Sequence, residues 1–258
     1  MYAAAQLAMN LSMEKEVLNL TLVDDDLFVL LDRDVNQVSV YRYYKRSKFA
    51  SFFVRDYQLL RYLELPAGFE RVSFSDITSC VQRKCLYMSD ANNRCIHRYD
   101  LDGSATSKWL VPGEPLGLSV TLSCNLLVTL QGEPNKLVEL SADSGQCGQC
   151  VREIALQADI KNPHYGVELT TDQFVLCHGV GDNSLHRVCV VGDDGKVTRS
   201  YGGQPGSDVE QLNFPCHLAV DKDSQFIFVA DYRNDRVVAF GERYKTPQIL
   251  KYLSLIHI

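Results

Sequence analysis

Ile227-Phe-Val-Ala-Asp231, Tyr232-Arg-Asn-Asp235 and Arg236-Val-Val-Ala-Phe-Gly241 read as a strand, a polar turn and a second strand. Apolar and β-branched residues alternate with small or polar ones on both sides of the turn, the period of a pleated chain. The same grammar recurs in Leu27–Asp32 with Gln37–Arg42, Leu86–Asp90 with Cys95–Leu101, Leu126–Leu130 with Lys136–Ser141, and Phe174–His178 with Ser184–Val191. The strand-end positions 32, 90, 130, 178 and 231 lie 40 to 58 residues apart. One further strand precedes each pair: Leu18–Val23, Phe74–Ser79, Leu116–Thr121, Tyr165–Thr170 and His217–Asp221. Another follows: Leu59–Leu65, Ser107–Val111, Val151–Leu156, Val197–Tyr201 and Gln248–Leu253. Asp102-Gly103, Asp143-Ser144-Gly145 and Asp194-Gly195 fall where hairpins must reverse. Four short strands per unit predict the blade of a β-propeller. Helical periodicity is nearly absent, which excludes the parallel-sheet nucleotide sites of α/β folds.

Flanking residues extend the motif. Tyr201-Gly-Gly-Gln-Pro-Gly206, Gln211-Leu-Asn-Phe-Pro215, Leu218-Ala-Val-Asp221 and Ile227–Val238 together resemble an NHL repeat, and Leu86–Ile96 resembles its core. The other three units are degenerate, and His178 stands where the strand-end Asp belongs. The resemblance implies the propeller of tripartite-motif ligases and related invertebrate proteins, usually six-bladed. The expected fold is all-β, with four-stranded antiparallel blades, five of them visible, in an incomplete six-bladed ring. The blades fall at about 18–66, 72–112, 115–157, 163–203 and 214–253. Residues 1–17 read as a helix or a disordered segment, and 254–258 as a non-native tail. Asp32, Asp90, Asn93, Asp231, Asn234 and Arg236 are structural motif residues. The Asp accepts hydrogen bonds from its turn, the Asn tolerates a left-handed backbone, and Val237-Val238 fill the space between blades.

Composition narrows the function classes. The chain has 258 residues, 46% apolar and 22% charged, enough to bury a core. Its net charge of −6 disfavours a broad phosphate-binding surface. Nine cysteines are too few for a disulfide scaffold, and the odd count leaves at least one unpaired even if the rest pair within the chain. No apolar run reaches the roughly 18–20 residues of a membrane span, and the N-terminus lacks a basic signal region. A reducing, cytoplasmic location follows, with no membrane partner.

Several constellations bear on chemistry. Asp76, Gly117, Tyr165 and His217 align at the start of the innermost strands, facing the mouth of the expected channel. A zinc site needs three or four converging ligands. One His and one Asp do not supply them, so no metal, cofactor or catalytic residue is expected, and a metal-dependent lyase or lactonase-like hydrolase is the minor alternative. No G-x-S-x-G elbow occurs, and Gly202–Gly206 lacks the Lys-Ser/Thr of a phosphate loop. Arg42, Tyr43, Tyr44, Lys45, Arg46 and Lys48 combine cations with stacking rings, a pattern that can hold single-stranded RNA; they are placed in a loop between the third and fourth strands. Cys147-Gly-Gln-Cys150 reads as a surface turn, and Cys80 and Cys85 flank a hairpin that would bring their thiols close. Cys95, Cys177, Cys189 and Cys216 read as small buried hydrophobes. His97-Arg98 and His186-Arg187 are read as symmetry-related inter-blade contacts. The expectation is a non-enzymatic module that binds a protein partner on a loop face, with RNA binding as the alternative.

Overall fold

The computed structural model describes residues 17–23, 26–31, 38–45, 55–63, 74–102, 106–180, 184–221, 226–241 and 244–250. They form antiparallel four-stranded sheets in chain order. The first is β1 (Val17–Val23), β2 (Asp26–Leu31), β3 (Val38–Lys45) and β4 (Arg55–Tyr62). The second is β5 (Phe74–Cys80), β6 (Cys85–Asp90), β7 (Cys95–Asp100) and β8 (Thr106–Leu110). The third is β9 (Glu114–Val120), β10 (Leu126–Gln131), β11 (Lys136–Leu140) and β12 (Cys150–Ala155). The fourth is β13 (Pro163–Thr170), β14 (Gln173–His178), β15 (His186–Gly192) and β16 (Val197–Gly203). The last is β17 (Pro215–Asp221), β18 (Phe226–Asp231), a 3-10 turn at Tyr232–Asn234, β19 (Arg236–Gly241) and β20 (Tyr244–Leu250). Each is a meander, so its first strand is innermost and its fourth outermost. This is the blade of a β-propeller.

The second strand of a blade is buried on both faces, as the pattern of β6 shows at all six positions. It packs against the neighbouring blade on each side, which is why these strands read as near-continuous apolar runs. Four hydrophobic cores sit between consecutive sheets. Val38, Val40 and Leu63 meet Phe74, Ile77, Leu86 and Met88. Tyr87, Ile96 and Trp109 meet Leu118, Leu126 and Val128. Leu127, Leu137 and Ile154 meet Phe174, Leu176 and Val191. Tyr165, Val175 and Cys177 meet Leu218, Val229 and Val238.

The expected incomplete six-bladed ring is corrected. Four blades, β5–β20, follow one another, and the sheet β1–β4 precedes them, packed on the first of the four through Val38, Val40 and Leu63. Among the described residues there is no sixth sheet, and no hydrophobic core joins the last sheet to the first. Blade number is set by the wedge angle between sheets, which no local repeat encodes.

Two outer strands also differ from expectation. β4 starts at Arg55 because β3 runs to Lys45, with Tyr43 opposite Tyr57 and Lys45 opposite Arg55. β20 starts at Tyr244 and carries Pro247, which an outermost strand tolerates because one side of its ladder is unpaired. Residues 1–16, Asp32, Arg46, Lys48 and the 251–258 tail lie outside the described residues. No helix among the described residues is long and apolar enough to cross a membrane.

Candidate functional site

The innermost strands share a register irregularity near their start, between Phe74 and Asp76, Pro163 and Tyr165, and Pro215 and His217. In β9 it falls opposite Val128 and Leu130. Such a bulge re-aims the residue after it. It sets Asp76, Gly117, Tyr165 and His217 against a neighbouring blade. Asp76 Oδ2 accepts the Leu118 N–H at 2.6 Å, and its Oδ1 accepts that of Ile77 at 2.8 Å. A Cβ on Gly117 would lie 2.5 Å from the His164 carbonyl oxygen, so only glycine lets these two backbones meet. The Tyr165 ring stacks on His217 with centroids 3.9 Å apart. The aligned ring residues thus come together pairwise as blade-to-blade wedges.

Burial governs how these groups titrate. Desolvation pushes Asp76 up to about 8, against the two backbone donors that pull it down. It pushes His217 down to about 4. Because the folded-state value of Asp76 lies above its unfolded one, folding favours the protonated form. Its contribution is full below about pH 4 and is lost as pH rises through about 8. Denaturant unfolding of the wild type at pH 7 and pH 8, above the range in which the buried histidines titrate, should therefore show stability falling with pH, and Asp76→Asn should flatten that slope. Equal slopes in both proteins would contradict it.

The motif residues lock the turns. Asn234 Nδ2 and Arg236 Nε donate to Asp231 Oδ2 at 2.8 and 2.7 Å, and the Asn213 N–H donates to Oδ1 at 2.6 Å. Asp90 receives the Asn93 N–H at 3.1 Å and its Nδ2 at 2.8 Å. The left-handed residue is not the Asn but its successor, Arg94 at φ 49° and Asp235 at φ 47°. The Asn is spent on its side-chain bond to the Asp, and the turn closes one residue later.

The two His-Arg pairs are not symmetry mates. Asp90 faces Cys95 and His178 faces Arg187, so His97 corresponds to Cys189 rather than to His186. The cause is the longer loop before β15. His186 Nδ1 accepts the Phe214 N–H at 3.0 Å, an inter-blade bond, whereas His97 Nε2 lies 3.1 Å from Asp90 Oδ2 in its own blade. All nine cysteines are free thiols, including Cys80 and Cys85 and the pair Cys147 and Cys150. Arg42, Tyr43, Tyr44 and Lys45 lie in β3 rather than in a loop. Their side chains are outside the described residues.

Sequence reasoning missed a cleft. The turns after β6 and β10 and the connectors leading into β9 and β13 share one face, because each joins strand ends of the same direction. They enclose about 940 Å³. Arg94 and Lys161 bring positive charge to it, Glu114 and Glu133 negative charge, and all four are exposed. At its floor Gln131 Nε2 donates to Asn162 Oδ1 at 2.7 Å. Asn135 Nδ2 donates to the Ile160 carbonyl at 2.9 Å, fixing one wall. The Gly-Glu-Pro-Asn run at 132–135 was the only available signal, and it reads as an ordinary turn until the neighbouring blade is placed beside it. A second missed network braces the blades: Arg152 bridges Glu139 at 2.8 Å and Glu168 at 3.4 Å.

No protein-family model matches the chain, and no curated protein matches it. Solved structures do. A protein of unknown function from Bacteroides caccae matches with TM-score 0.57 and 11% identity, over 88% of this chain and 68% of that one. Kuenenia stuttgartiensis hydrazine synthase matches with TM-score 0.59 and 13% identity, over 88% and 77%. The C-terminal WD40 domain of Sif2 matches with TM-score 0.55 and 9% identity, over 93% and 62%. At these identities the likeness is one of fold: the chain has a WD40-like β-propeller fold.

Proposed function

We propose that the chain is a non-catalytic interaction module, NHL-type in its repeat, that binds a protein partner on the face bearing the cleft between the second, third and fourth sheets. The cleft of about 940 Å³ carries the reading. Its two cations, two anions and paired side-chain amides suit a polypeptide segment of mixed charge, and loops on a rigid scaffold are where such interfaces are built. The groups aligned as a channel site support the non-catalytic reading, since Asp76, Tyr165 and His217 are engaged in joining blades. Free thiols throughout fit a reducing, cytoplasmic setting.

Reversing Arg94 and Lys161 together to Glu should weaken partner binding at least about tenfold, equivalent to about 1.4 kcal/mol. Both side chains are exposed, so the unfolding midpoint should stay in place. Quantitative affinity capture with wild type and the double variant reads this directly. An identical partner set at identical yield would sink the proposal.

A further inference from the structure

The turn beside the cleft covers a second feature. Asp90 ends β6, Cys95 opens β7 directly opposite it, and His97 follows two residues on, on the same face of the hairpin. All three are buried, at 0%, 0% and 4% exposure. Their ligand atoms converge: His97 Nε2 lies 3.1 Å from Asp90 Oδ2 and 3.4 Å from Cys95 Sγ, and Cys95 Sγ lies 3.9 Å from Asp90 Oδ2. No other described group of His, Cys, Asp and Glu side chains meets as closely with three members.

We infer that Asp90, Cys95 and His97 form a zinc-binding site in the second sheet. Tetrahedral zinc holds nitrogen and carboxylate oxygen at about 2.0–2.2 Å and thiolate sulfur at about 2.3 Å. Those lengths place the nitrogen and oxygen about 3.3 Å apart, and the sulfur about 3.5 Å from each. The observed triangle of 3.1, 3.4 and 3.9 Å closes onto that figure with shifts of a few tenths of an ångström. The donor set of thiolate, imidazole and carboxylate is one that zinc accepts, and three protein ligands leave a fourth position for solvent.

A nucleophile–base–orienter chain does not fit the same atoms. Such a chain uses both ring nitrogens, one toward the thiol and the other toward the carboxylate. Here both partners address Nε2. The register-equivalent positions in the last sheet hold Asp231, Arg236 and Val238, where a guanidinium at 2.7 Å occupies the space. The second sheet has replaced that arginine with a thiol and the valine with an imidazole. Outer contacts hold the ligands in place: Asn93 donates twice to Asp90, and the Phe74 ring meets His97 edge-on at 5.8 Å. The exposed turn at Asn92, Asn93 and Arg94 gives the ion its way in.

The full chain, purified and dialysed against zinc, should retain one zinc per molecule by elemental analysis. Cobalt in its place should show a thiolate charge-transfer band with tetrahedral ligand-field bands. Cys95→Ser and His97→Gln should each reduce both signals to background, whereas Cys147→Ser with Cys150→Ser should leave them intact. X-ray absorption at the zinc edge of the wild type needs no variant to fold, and should give one sulfur at about 2.3 Å with nitrogen or oxygen neighbours at about 2.0–2.2 Å. Substoichiometric zinc, retention by folded Cys95→Ser, or a shell with no sulfur or with more than one overturns the assignment.

Discussion

Asp231→Ala should lower the unfolding free energy by about 3–5 kcal/mol, the cost of removing one partner from a buried ion pair. The carboxylate is fully buried and receives Asn213, Asn234 and Arg236. Arg236 in turn donates to the carbonyls of Ser207, Asp208 and Gln211, so the pair ties β19 to the connector that enters the last sheet. Deleting the carboxylate leaves a guanidinium whose side chain is only 9% exposed and frees the Asn213 N–H. Urea unfolding of wild type and variant measures the loss from the shift in midpoint. A change under about 1 kcal/mol would place this pair with ordinary surface salt bridges and contradict the role assigned to it.

Phe174→Ala should cost a similar amount, about 3–5 kcal/mol, through a different term. The ring is fully buried in the core between the third and fourth sheets, against Leu127, Leu137 and Ile154 on one side and Leu176 and Val191 on the other. These side chains sit on paired strands and relax only partly into a void. The Arg152 guanidinium also lies 4.8 Å over the ring, and the same side chain holds Glu139 and Glu168 across the blade boundary. Truncation therefore opens a cavity and removes a cation–π contact together. Leu110, 77% exposed on β8, provides the comparison: Leu110→Ala should change stability by no more than about 0.5 kcal/mol. Similar thermal midpoints for the two variants would mean that the inter-blade cores are not where stability resides.

The inner three strands of each blade could be read from the sequence because burial on both faces writes itself as dense apolar alternation. Leu126–Leu130 and Phe174–His178 are examples. Outer strands carry weaker marks, since half their ladder is unpaired, and β4 and β20 both began earlier than composition indicated. The Asp-x-x-Asn turns were recognisable, but which residue turns left-handed depends on where the Asn side chain goes, and it goes to the Asp. Ring size was misjudged because a wedge angle is a property of packed sheets. The cleft and the Asp90–Cys95–His97 cluster stayed hidden for related reasons. The cleft exists only once neighbouring blades are side by side. The cluster needs Asp90 placed opposite Cys95, which turns a cysteine that reads as a small hydrophobe into part of a ligand set.

The face opposite the cleft provides an internal control for the central claim. Glu133 lies at the cleft, whereas Asp172, equally exposed, sits in the turn between β13 and β14 at the other end of the blade. A photo-crosslinking amino acid placed at each position in turn, in the full chain within its native cell extract, reads which face carries a partner. The account predicts a discrete crosslinked protein from position 133, absent from position 172 and lost when Arg94 and Lys161 are reversed to Glu. Crosslinks from position 172 alone, or from position 133 regardless of the charge reversal, would contradict it.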